Sequence, residues 1–125
     1  MSQIGADHVL FICTTCKAGT AEPYLGLGLI AGLAAADSLP AGFQVIGTAC
    51  MSGCTRPCTA AFRAPGKATY MFGDLDPATD VPALAEFAHT YVARPDGQTR
   101  MLERPKLLRR KTMGRIPPMP GLVSS

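Results

Sequence analysis

Two short apolar runs, "HVLFIC" at 8–13 and "FQVIGTAC" at 43–50, each lead directly into a cysteine, and a helix-length segment lies between them. No other feature restricts the fold of this chain as much. A short apolar run bounded by turn-forming residues has the pattern of a buried strand. The segment between predicts a helix over about 21–36, starting near Thr20 or Ala21 with Pro23 in its first turn, and "SLPAG" at 38–42 ends it. Strand, helix and strand in that order imply a crossover joining two parallel strands.

The next segments supply an antiparallel pair. "CTAAFRA" and "KATYMFGDL" flank the turn "PGK" at 65–67, which reads as a hairpin whose first strand begins at Cys58. Asp76-Pro77 then opens a second helix that runs to about residue 93, with Asp80 as a candidate N-cap. Val81, Leu84, Phe87, Ala88 and Tyr91 recur along it at helical spacing. The expected order is β-α-β-β-β-α, an α/β sandwich of thioredoxin type with a small mixed sheet. Residues 1–96 form that domain, and residues 97–125, with four prolines and weak periodicity, are expected to be a basic extended arm.

Charge divides the chain in the same way. Residues 1–99 hold five Lys/Arg and eight Asp/Glu, whereas residues 100–125 hold seven Lys/Arg and only Glu103. The body is therefore mildly acidic and the arm strongly basic. The longest greasy stretch, "YLGLGLIAGLAAA" at 24–36, is too short and too rich in Gly and Ala for a membrane span. "MSQIGADH" lacks the basic and apolar regions of a signal peptide, so a cytoplasmic location is expected.

In a reducing compartment structural disulfides are rare, and five cysteines in two clumps read better as metal ligands or redox thiols. Cys13 and Cys50 end the two parallel strands, whose carboxyl ends share one edge of the sheet, and Cys16 and Cys54 follow in the adjoining loops. Four thiolates converging there suit a zinc ion or an iron–sulfur cluster, and the C-x2-C and C-x3-C spacings satisfy both. The loop composition favours the cluster. Thr14, Thr15, Ser52, Gly53 and Thr55 leave backbone N–H groups room to point at sulfur, and Lys17 and Arg56 offset negative charge. Cys58, just after Pro57, is either a fifth, non-ligating thiol or a replacement for one of the four.

"FICTTC" after a first strand, with "GTACMSGCTRPCTAAF", "GKATYMFGDL" and a final helix, resembles the thioredoxin-like [2Fe-2S] ferredoxins. The pattern is also similar to the cluster-bearing domain in the small subunit of respiratory NADH dehydrogenases. Within this likeness Cys13 matches the first ligand, Cys50 and Cys54 match a C-x3-C pair, and Pro57 matches the proline that follows it. The second ligand of that family stands farther along the first loop than Cys16 does, which keeps Cys58 as a reserve ligand. A narrower likeness is to a bacterial group of cysteine-rich predicted metal-binding proteins. Members end in an arm like "RPKLLRRKTMGRIPPMP", and some are encoded near cobalamin-synthesis or cobalt-handling functions, so the likeness implies a role in cobalamin or cobalt-related metabolism.

The resemblance implies an electron carrier, not an enzyme, with a [2Fe-2S] cluster on Cys13, Cys16, Cys50 and Cys54. Two alternatives use the same residues: a zinc- or cobalt-binding metallochaperone, and a thiol-disulfide oxidoreductase working through Cys13 and Cys16. His8 and His89 fall outside the cysteine loops and have no expected catalytic role. The glycines of "GLGLIAG" at 26–32 sit inside a helix, which fits close packing, within the chain or in a homodimer, better than a dinucleotide loop. The basic arm is expected either to dock an acidic redox partner or to wrap the acidic body. Its lack of aromatics argues against nucleic acid.

Overall fold

The computed structural model of the chain describes residues 7–14, 25–49 and 58–118. In chain order its elements are β1 (Val9–Cys13), α1 (Leu25–Ala36), β2 (Gln44–Thr48), β3 (Ala60–Arg63), β4 (Thr69–Phe72), α2 (Val81–Ala93), a 3-10 turn (Met101–Glu103), α3 (Lys106–Arg109) and β5 (Thr112–Ile116). Among the described residues the strands form one mixed sheet in the order β2-β1-β3-β4-β5. β1 and β2 are parallel, with Val9 opposite Gln44 and Cys13 opposite Thr48. The remaining pairs are antiparallel. This is the thioredoxin-like α/β arrangement expected from the sequence.

Alternation along the strands sorts the side chains. Leu10 and Ile12 of β1, Phe62 of β3, and Tyr70 and Phe72 of β4 are buried on one face of the sheet. Leu29 and Leu33 of α1 and Leu84, Phe87 and Tyr91 of α2 join them in the core. Phe87 is the hub of the aromatic packing. Its ring lies 4.9 Å from Phe62, 5.1 Å from Tyr70 and 5.2 Å from Phe72, each at a steep angle that suits the ring quadrupoles. The helical spacing read from the sequence of α2 is thus its buried stripe.

The glycines of α1 allow close packing within the chain. A Cβ on Gly26 would stand 1.9 Å from the carbonyl oxygen of Cys13, and one on Gly32 would stand 2.9 Å from Cγ2 of Val81. The first contact brings the amino end of α1 against the carboxyl end of β1. The second brings the same helix against the start of α2.

Two boundaries differ from the sequence reading. The hairpin's first strand starts at Ala60, not at Cys58. The second helix starts at Val81, because residues 76–80 form a separate turn: Asp76 Oδ1 accepts from the Ala78 amide at 2.8 Å and its carbonyl accepts from the Asp80 amide at 2.9 Å. Asp80 does occupy the N-cap position, but its carboxylate makes no capping bond to the helix. The start of α1 before residue 25 lies outside the described residues.

The largest addition is in the basic arm. Gly73 donates its amide to the Lys111 carbonyl at 2.8 Å, and β5 pairs with β4 beyond it. Arg104 lies over the Tyr70 ring at 5.4 Å and donates to the hydroxyls of Thr99 (3.2 Å) and Thr112 (3.0 Å). β5 escaped the sequence reading because its side chains are half-buried or exposed, so it lacks the apolar run or alternation that marks a strand. Its backbone pairing defines it.

Gly26→Ala should destabilise the protein by at least about 2 kcal/mol, since the added methyl meets a backbone atom that cannot turn aside. Gly114→Ala in β5, where an added Cβ meets nothing within 4 Å, should stay within about 0.5 kcal/mol of the parent. Urea unfolding of the two variants tests this difference, and equal midpoints would contradict the packing of α1 on β1.

Candidate metal centre

The carboxyl ends of β1 and β2 define one end of the sheet, and two cysteines are described there. Cys13 is the last residue of β1 and is 1% exposed. Its amide donates to the Thr59 carbonyl at 3.0 Å, which fixes the strand end against the segment entering β3. Its Sγ lies 3.8 Å from the Ala49 carbonyl, within reach of a weak S–H donation. Ala49 is the residue that precedes Cys50 in the chain. The thiol of Cys13 therefore faces the point where the chain leaves β2 for the second cysteine clump.

Cys58 points differently. Its Sγ lies 3.4 Å from the carbonyl oxygen of Cys13 and 3.7 Å from that of Thr59, and the residue is fully buried within the core. Its own carbonyl accepts from the Leu75 amide at 3.1 Å. Cys58 thus buttresses the end of β1 from below and ties it to the loop after β4. Cys16, Cys50 and Cys54, the other three expected ligands, lie outside the described residues, as do Lys17 and Arg56. Among the described residues no group of three or more His, Cys, Asp or Glu is placed to hold a metal ion.

Gly26 of α1 packs on the backbone of Cys13, where an added Cβ would meet its carbonyl oxygen. Cys13 is buried and belongs to the same apolar cluster as Ile12, Leu29 and Cys58. A buried thiol at this strand end fits a thiolate-bound group at Cys13, the one candidate ligand that is described.

The hydrogen bonds expected from the first loop are different at Thr14. Both its amide (2.8 Å) and its hydroxyl (3.1 Å) donate to the Thr48 carbonyl, so neither is directed at sulfur. They extend the β1–β2 pairing by one residue instead. Gly47 makes room for this, as a Cβ there would come within 2.6 Å of Thr14 Cγ2.

Sequence reasoning missed an ion pair that holds the arm at this end of the sheet. Lys111 Nζ donates to Asp80 Oδ2 at 2.5 Å, and the Asp76 amide donates to the same oxygen at 2.8 Å. The Asp80 side chain is fully buried while that of Lys111 is 23% exposed. Oδ1 of Asp80 has no hydrogen-bond partner among the described residues. The signal available in the sequence was an acid just before a helix and a lysine in a basic arm, which does not reveal that they meet. The histidines sit elsewhere: His8 is buried between the rings of Phe43 and Tyr91, and His89 Nε2 contacts the Ser38 carbonyl at 2.7 Å.

A parallel β1–β2 pair with cysteine at its carboxyl end, on a thioredoxin-like sheet, defines a thioredoxin-fold protein with a candidate thiolate site. The chain belongs to the family described as "Protein of unknown function (DUF1636)", whose profile matches residues 10–118. Among solved structures it is similar to a thioredoxin-like [2Fe-2S] ferredoxin from Aquifex aeolicus, with a TM-score of 0.57 at 14% identity, over 92% of this chain and 98% of that one. At that identity the likeness is one of fold. No curated protein matches the chain.

Lys111→Met should cost about 2–4 kcal/mol, because it leaves a buried carboxylate without its counter-charge. Adding Asp80→Asn should recover most of the loss. Thermal melts of the single and double variants measure this coupling, and additive losses would contradict it.

Proposed function

We propose that this protein is an electron carrier whose [2Fe-2S] cluster is held by Cys13, Cys16, Cys50 and Cys54. The observation that carries the reading is the in-register parallel pairing of Cys13 with Thr48, with the Cys13 thiol directed at Ala49. This arrangement starts the two cysteine clumps from neighbouring points at one end of the sheet. The fold of the Aquifex aeolicus ferredoxin supports the same reading. When bound, such a cluster supplies one-electron redox chemistry.

The chain's own residues would hold and tune the cluster. Cys13 supplies a buried sulfur at the end of β1, where Gly26 of α1 packs on its backbone. Cys58 is assigned a supporting place, since its Sγ lies 3.4 Å from the Cys13 carbonyl oxygen at the end of β1. The burial of Cys13 argues against a thiol-disulfide oxidoreductase, whose attacking sulfur must be reachable by its substrate. The narrower reading is a cytoplasmic carrier related to the cysteine-rich predicted metal-binding proteins, serving cobalamin or cobalt-related metabolism through an acidic redox partner.

Anaerobically purified protein should be red-brown, with about two irons and two labile sulfides per chain. Cys13→Ser and Cys50→Ser should each lose most of that iron, whereas Cys58→Ala should keep it and show only a lower melting temperature. A colourless protein carrying stoichiometric zinc, or a blue-green one carrying cobalt without labile sulfide, would replace the electron carrier with a metal-binding protein on the same thiolates.

A further inference from the structure

Three of the large apolar side chains that the described residues leave exposed lie close together in the arm: Leu102 (78%), Met101 (59%) and Leu107 (51%). Side chains with half to three quarters of their surface in water project outward and do not line a groove. They belong to a segment that is held firmly. Glu103 pairs with Arg94, and the Glu103 carboxylate accepts the Arg100 amide at 2.7 Å. The Arg109 guanidinium donates to the carbonyls of Arg104 (3.1 Å) and Leu102 (3.2 Å), and Leu108 is buried beneath. Protein contacts therefore fix the backbone in a form that keeps these apolar groups in solvent.

Charge surrounds them. Residues 100–111 contain Arg100, Arg104, Lys106, Arg109, Arg110 and Lys111 against Glu103 alone, whose charge Arg94 already meets. Arg100 and Lys106 are exposed beside the apolar side chains. Neither Trp nor Tyr, two of the three usual anchors of protein interfaces, stands in the arm. Projecting Met and Leu need no complementary shape in a deformable apolar phase, and the cations complement anionic headgroups.

We propose that the segment from Arg100 to Lys111 is a docking surface for an anionic lipid bilayer. Met101, Leu102 and Leu107 enter the interfacial layer, and Arg100 and Lys106 meet headgroup phosphates. The contact is peripheral, consistent with the finding that no helix among the described residues is long and apolar enough to cross a membrane. It goes beyond the electron-carrier reading and does not depend on it.

Sedimentation of the full chain with vesicles tests the surface independently of any cofactor. Phosphatidylcholine mixed with phosphatidylglycerol should pull the protein down, phosphatidylcholine alone should not, and added salt should weaken the binding. Leu102→Glu should reduce binding to the mixed vesicles roughly tenfold, and Arg100→Glu with Lys106→Glu should reduce it similarly, with unchanged melting temperatures. Absence of binding to the mixed vesicles, or equal binding by Leu102→Glu, overturns the proposal. Conversion of a dimer to a monomer by Leu102→Glu without vesicle binding also overturns it, and assigns the patch to a second copy of the chain.

Discussion

The parallel pairing of β1 with β2 is the constraint on which the rest of the molecule depends. A parallel pair needs a long crossover, which α1 provides, and the crossover returns its amino end to the strand terminus it began from. Gly26 sets how near that end can come, because any side chain there would collide with the carbonyl of Cys13. One backbone contact thus couples the packing of α1 to the position of a candidate ligand. Thr14 and Gly47 reinforce the pairing at the same end, and Cys58 braces it from the core.

Much of this was legible because it depends on period and punctuation. The two apolar runs became β1 and β2, the "PGK" turn became the hairpin between β3 and β4, and the 3.6-residue stripe of α2 became the aromatic core. Features that depend on tertiary partners were not legible. Asp80 reads as an N-cap, yet its carboxylate is claimed by a lysine thirty-one residues later. β5 reads as an arm because an edge strand with exposed side chains carries little hydrophobic signal. At the candidate centre, the sequence correctly located Cys13 at a strand end but could not show that its thiol is directed toward Ala49 while that of Cys58 is directed into the sheet.

The arm follows a common physical logic. An isolated basic segment rich in proline has little reason to fold, since it buries few apolar groups. Here its cations find partners on the body: Lys111 reaches the buried Asp80, Arg104 stacks on Tyr70, and Arg109 satisfies carbonyls at the ends of short helical turns. Leu108 supplies the apolar anchor. These contacts hold residues 104–111 against the body.

That use of charge separates the arm's basic residues by role. Those engaged internally are fixed by geometry, and replacing them would be felt as lost stability. Arg100 and Lys106 stay exposed beside projecting aliphatic groups, where their charge acts mainly on whatever approaches. The Asp80–Lys111 pair lies next to the loop whose Leu75 amide holds Cys58, so the arm is anchored at the same end of the sheet as the candidate centre. The anchor of the arm and Cys13 therefore share one end of the sheet.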